Sequence, residues 1–266
     1  VNAGLPFEEA WFDETPRFPA PPPERPLTPA ERDLAVRCID LTTLQGDDDA
    51  ARVEALCRSG REAGVAALCV YPVFVDTCRS LLAGTPVRVA TVAGGFPHGL
   101  SPLDTRVAET SACARLGADE IDVVIRRDHA LDGRWRELWR EVGLLKDAAG
   151  PARLKVILAA GELGDLSTIY RAALAALAAG AGFVKTSTGK EAVNATLEAG
   201  VAMAAAIRRY EELSGYRAGL KAAGGVRAPE QAGGWLDLVE RDLGPEALTP
   251  ERFRIGASGL LEALTG

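Results

Sequence analysis

The segment AGFVKTSTGK, residues 181–190, runs from apolar residues (Ala181, Gly182, Phe183, Val184) straight into Lys185. Three small hydroxyl residues, a glycine and Lys190 follow. The apolar part reads as a buried strand, and a lysine at its end is costly unless it is paired or loses its charge. Whatever fold is assigned here must explain that amine.

Similar short segments recur on both sides: 38–44 (CIDLTTL), 66–71 (AALCVY), 87–93 (VRVATVA), 120–125 (EIDVVI), 154–159 (LKVILA), 219–223 (GLKAA) and 253–257 (FRIGA). With 182–188 they make eight. Between them lie stretches of helical period, such as SPLDTRVAETSACARLG at 101–117, opened by a Ser-Pro cap signal. Another is DLSTIYRAALAALAAG at 165–180, closed by glycine. Eight near-continuous apolar strands alternating with helices call for a parallel sheet covered on both faces. The expected fold is a (β/α)8 TIM barrel. Periodicity alone does not separate it from a doubly wound open sheet, but no GxGxxG follows the first strand.

Residues 1–30 hold FPAPPPERPLTP (18–29), too proline-dense for helix or ladder. They are expected to form an extended arm, wrapped on the surface or disordered, ahead of one barrel domain at 31–266. Thr28-Pro29 reads as an N-cap followed by proline at the first helical position.

The 266 residues carry a net charge of -7 with no long basic run, which argues against nucleic acid as a partner. No apolar run reaches the length of a membrane span, and the first residues do not resemble a signal segment. Five cysteines without CxxC pairing point to core thiols in a reducing, cytoplasmic setting. The two histidines, His98 and His129, are too far apart for an HxH or HExxH metal motif. His98 reads as a loop residue and His129 as exposed. Trp135 and Trp139, four apart, read as one packing face, offered here as a subunit contact in a homodimer.

The anomaly is charge inside strands: Asp40, Asp122, Lys155, Lys185 and Lys221. Alternate barrel side chains point into the lumen, so each of these could project inward. A salt-bridge network, or lysines snorkelling outward, would explain any one of them. As a group they leave one amine unpaired, and burial among like charges should pull a lysine well below its ordinary pKa of about 10.4. A neutral lysine attacks carbonyl carbons and forms Schiff bases. This reasoning does not select which lysine.

TSTGK (186–190), AAGGVR (222–227) and GASG (256–259) combine glycines with small side chains, as backbone anion cradles do. In barrels the loops after the last two strands often hold phosphate.

Together the segments resemble the deoxyribose-phosphate aldolases. The matching stretches are IDLTTL (39–44), CVYP (69–72), GFPHG (95–99), GADEIDVVI (117–125), LKVIL with GEL (154–163), FVKTSTGKEAVNAT (183–196), GLKAAGGVR (219–227) and RIGASGLL (254–261). The resemblance implies a (β/α)8 barrel that cleaves 2-deoxy-D-ribose 5-phosphate to D-glyceraldehyde 3-phosphate and acetaldehyde, with neither metal nor cofactor. It puts the Schiff base on Lys185, the pKa-lowering charge on Lys221 and the proton-transferring carboxylate on Asp122, with Lys155 beside it. Pocket positions fall on Asp40, Thr42 and Cys69. Substrate and phosphate contacts fall on Thr188, Gly189, Lys190, Gly224, Gly225, Arg227, Ser258 and Gly259. Ala222 and Gly259 stand where many relatives have proline and serine. Two rivals are another Schiff-base aldolase for a different sugar phosphate, and a catalytically silent sugar-phosphate binder.

Overall fold

In the computed structural model, which describes residues 4–13 and 15–266, eight strands pair in parallel, each with the next in the chain. They are β1 (Ile39–Thr42), β2 (Ala67–Val70), β3 (Arg88–Ala93), β4 (Glu120–Val124), β5 (Arg153–Ile157), β6 (Phe183–Lys185), β7 (Gly219–Ala223) and β8 (Phe253–Ala257). β8 returns to β1 through the Asp40–Gly256 register and closes the barrel. The open-sheet alternative is thereby excluded.

The helices are α1 (Pro29–Arg37), α2 (Ala50–Ala63), α3 (Val75–Leu81), α4 (Leu103–Arg115), α5 (Arg127–Leu131), α6 (Trp135–Ala149), α7 (Leu166–Ala178), α8 (Leu197–Ser214), α9 (Pro229–Leu243) and α10 (Leu260–Thr265). α1 starts as its sequence predicts: Pro29 opens it, and Thr28 with Glu31 forms a capping box. α4 differs from expectation. Pro102 occupies its N-cap and no side chain caps it, so Ser101 does not play that part. α10, after GASG, has only six residues.

The proline-rich arm wraps the barrel's outside; its residues 1–3 and 14 lie outside the described residues. Leu5 N–H donates to Ala178 O, and Phe12 stacks on Trp135 with centroids 5.8 Å apart. Phe7 packs on Trp139, whose indole N–H donates to Leu5 O at 3.2 Å. The Trp135/Trp139 face, expected to be one packing face, therefore packs against the chain's own arm. The cover also explains α7: Ala172–Ala178 are buried all round because arm residues close the helix's outer side. Farther along, Arg25 grips both Asp237 and Glu31. A Cβ at Gly233 would fall 2.1 Å from Arg25 O, so α9 needs glycine where the arm crosses it.

His98 sits exposed in a turn, as expected. His129 does not match expectation. It is 8% exposed, with its Nδ1 3.7 Å from Glu141 Oε2, because α5 folds down onto α6. Burial lowers its pKa.

Candidate active site

The period of two along each strand decides which side chains enter the lumen. From β1, β4, β5, β6, β7 and β8 come Asp40, Glu120, Asp122, Lys155, Lys185, Lys221 and Arg254; the ion pairs they make with one another put them in one cluster. From β2 and β3 come Ala67, Cys69, Ala90 and Val92, packed with Leu44, Tyr71 and Phe96. One side of the lumen is ionic and the other apolar. Glu120 and Arg254 were not singled out from sequence, although each falls at the right alternation within its strand.

Three carboxylates thus meet four cationic side chains in a space almost closed to water. Their partners are unequal. Lys155 Nζ lies 2.7 Å from Glu120, 2.8 Å from Asp122 and 3.4 Å from Asp40. Lys221 Nζ lies 2.5 Å from Asp40 and 2.8 Å from Asp122. Arg254 forks onto Asp40 and Glu120. Among the carboxylates of the described residues, Lys185 reaches only Asp122, at 2.9 Å, on the same Oδ2 that Lys221 uses. The cluster is neutral only if one amine gives up its proton, and Lys185 has least to lose.

Electrostatics follow the contacts. Burial pushes Lys185 below the usual lysine range and the charge of Lys221 adds to it, with Asp122 opposing. For Lys221 and Lys155 burial acts the same way, but their carboxylate partners outweigh it and raise both. Asp122 stays well below the usual carboxylate range, because three lysines overcome the effect of its burial. Asp40 is lowered on the same terms, chiefly by Lys221 and Arg254. Burial raises the Cys69 thiol, leaving it protonated on the apolar side. Burial and a neighbouring like charge, the two causes expected from the sequence, both act on Lys185, and burial is the larger.

Lys185 is held in place by the hydroxyl residues that follow it. Thr186 N–H donates to Lys221 O at 3.0 Å, and Thr186 Oγ1 accepts from Ala223 N–H at 2.9 Å. Ser187 Oγ donates to Ala223 O. These bonds staple the end of β6 to β7 and set the two lysines side by side.

Above the cluster opens a cleft. It is lined by Thr42, Lys185 and the loops 188–190, 223–227 and 256–258. Of the lumen charges, Lys185 alone reaches it among the described residues; Asp40, Asp122, Lys155 and Lys221 lie sealed below. Thr188, Gly189, Lys190, Gly224, Gly225, Arg227 and Ser258 are brought together here. Gly259 lies just outside, at the N-cap of α10. Gly224 must be glycine: its φ is 81° and a Cβ would meet Asn194 Oδ1 at 2.7 Å. The backbone N–H groups of Thr188, Gly189 and Lys190 do point at an anion, as that loop's glycine suggested, but the anion is Glu191 of this chain.

Among the described residues, no group of three or more His, Cys, Asp or Glu is arranged to hold a metal ion, and no helix is long and apolar enough to cross a membrane. All five cysteines are free and buried.

This geometry has relatives. The chain is 46% identical over 245 residues to a deoxyribose-phosphate aldolase of Mus musculus, covering 85% of this chain and 77% of that protein. To the Homo sapiens enzyme of the same name it is 45% identical over 245 residues, with the same coverage. The tetrameric deoxyribose phosphate aldolase of Aeropyrum pernix matches with a TM-score of 0.66 at 28% identity, over 88% of this chain and 90% of that one. A family profile described as DeoC/LacD family aldolase matches residues 34–240. That span runs from α1 into α9 and includes all three lumen lysines, and the chain belongs to the DeoC/LacD family of aldolases.

Proposed function

We propose that this aldolase reversibly cleaves 2-deoxy-D-ribose 5-phosphate to D-glyceraldehyde 3-phosphate and acetaldehyde through an imine on Lys185, without metal. One observation carries the reading: Lys185 is the lumen cation with a single, shared carboxylate and also the one that opens to the cleft. Its kinship with deoxyribose-phosphate aldolases supports the substrate.

The neutral Nζ of Lys185 attacks the C1 aldehyde carbon of the open-chain sugar, and loss of water leaves a protonated imine. As the C3 hydroxyl gives up its proton, the C2–C3 bond breaks and its electron pair moves into the iminium, forming an enamine. D-Glyceraldehyde 3-phosphate departs. Protonation of the enamine at C2, then hydrolysis, releases acetaldehyde and restores the amine. Asp122, ionised and bonded to Lys185, balances the iminium charge and relays these protons through a water. Lys221 keeps Lys185 neutral before attack, and Lys155 holds Asp122 by its other oxygen. A fixed charge array in a site this dry acts strongly and needs no rearrangement.

The cleft's far side takes the phosphate: the side chains of Lys190 and Arg227, Ser258 and the Gly224–Gly225 turn, with Thr42, Thr188 and Gly189 as walls. Asp40 and Cys69 act from below, as part of the charge array and of the apolar wall. Residues 31–266 form the catalytic unit and 1–30 its outer strap. Free thiols throughout suit a reducing, cytoplasmic compartment.

Borohydride reduction with acetaldehyde, followed by mass spectrometry of the digested protein, tests the reading. A two-carbon adduct is expected on Lys185. An adduct on Lys221, or none, would refute it. Cleavage rates for other sugar phosphates would show whether the substrate is right even where the chemistry is.

A further inference from the structure

Glu191 follows the TSTGK motif, and its carboxylate accepts from three consecutive backbone N–H groups. Thr188 N donates at 3.1 Å to either oxygen, Gly189 N at 3.1 Å and Lys190 N at 3.2 Å. Three amides converging on one anion is the arrangement by which loops bind phosphate. Here it is filled from within the chain, by a side chain only 2% exposed. Gly189, with φ 87°, makes the turn.

Arg127 holds Glu191 from behind. Its guanidinium lies 3.4 Å from Glu191 and 2.5 Å from Glu162, and it donates to His98 O at 2.9 Å and Pro97 O at 3.4 Å. Those partners come from the loops after β3, β5 and β6, while Arg127 itself follows β4. One planar side chain therefore ties four successive loops at the barrel mouth, a task for which a lysine's point charge is unsuited.

We propose that Glu191 and Arg127 are positioning residues for phosphorylated substrate. Glu191 is an internal anion that pre-forms the Thr188–Lys190 wall of the cleft, and Arg127 locks it in place. The inference rests on the sugar-phosphate reading above. A wall ordered in advance spares the ligand the entropy of ordering it. The Schiff-base lysine is stapled separately, through Thr186 and Ser187 to Ala223, so a small aldehyde without phosphate should not sense the change.

The test uses the full chain with Glu191→Gln, Glu191→Ala, Arg127→Met and the double variant Arg127→Met/Glu191→Gln. The readouts are KM and kcat for deoxyribose 5-phosphate, kcat/KM for unphosphorylated deoxyribose, and the rate of borohydride trapping with acetaldehyde. KM for the phosphorylated sugar should rise about 10- to 100-fold, with kcat and trapping within about twofold. The double variant should be no worse than the worse single one, as expected of residues acting as a unit. Unmoved KM, additive losses, or a trapping rate that falls in parallel would overturn the proposal. So would a KM that drops in Glu191→Ala, since the amides would then serve substrate better without Glu191. A wild-type enzyme indifferent to the 5-phosphate would remove the substrate reading as well; a discriminating wild type with unchanged variants would remove this inference alone.

Discussion

Lys185 and Lys221 donate to the same oxygen, Oδ2 of Asp122, at 2.9 and 2.8 Å. Two ammonium groups on one oxygen repel, and the proton leaves the one with fewer other partners. Lys221 also has Asp40 at 2.5 Å, whereas Lys185 has no second carboxylate among the described residues. Replacing Lys221 with Met removes the competitor, so Lys185 should hold its proton more tightly. Activity at neutral pH should fall by about 100-fold or more, and the acid limb of kcat/KM should move to higher pH. A limb that stays in place would show that burial alone sets the amine.

The same logic reaches two residues beneath the site, with opposite signs. Arg254→Met takes a cation from the cluster and should favour charged Lys185, moving the acid limb to higher pH. Glu120→Gln takes an anion away and should move it to lower pH. Both groups are buried, so screening by salt is weak. The measurement is kcat/KM against pH for both variants; shifts in one common direction would contradict a shared electrostatic cluster.

Stability should separate the lysines differently from activity. Lys155 lies against all three carboxylates, so Lys155→Met strands buried charge and should cost about 3–5 kcal/mol. Lys185→Met removes an amine that is uncharged at rest and strands no carboxylate, so it should change stability by less than about 1 kcal/mol while abolishing turnover and trapping. Urea unfolding of both variants checks the contrast. A Lys185→Met protein as destabilised as Lys155→Met would mean that Lys185 is charged in the resting barrel.

The barrel was legible because its strands are short apolar runs with charges in the wrong places, and those charges meet in the cluster proposed as the site. Glu120 and Arg254 carried the same signal. Glu120 is two residues before Asp122 and so shares its face, but as the first residue of its run it was not counted among the charges inside strands. Glu191 stands beside the most recognisable motif and gave no sign, because its direction depends on a turn at Gly189 that spacing does not reveal. His129 was misjudged because its neighbours are charged, while its burial comes from α6, a different part of the chain. The arm's proline density predicted an extended path; which surface it covers is decided by contacts distant in sequence, such as Phe7 and Phe12 meeting the two tryptophans and Arg25 meeting Asp237.

That last contact yields a prediction about stability without chemistry. Phe12 is 6% exposed, stacks between Phe7 and Trp135, and its carbonyl accepts from Arg171 on α7. Phe12→Ala should cost about 3 kcal/mol, the lower end for a buried phenylalanine, because the arm can partly settle into the gap. The site lies inside the barrel and this contact outside it, so kcat/KM should be unchanged well below the melting temperature. Thermal unfolding and kinetics on one preparation decide the matter. A variant equally stable, or one that loses activity while still folded, would show that the arm is not the outer strap its contacts describe.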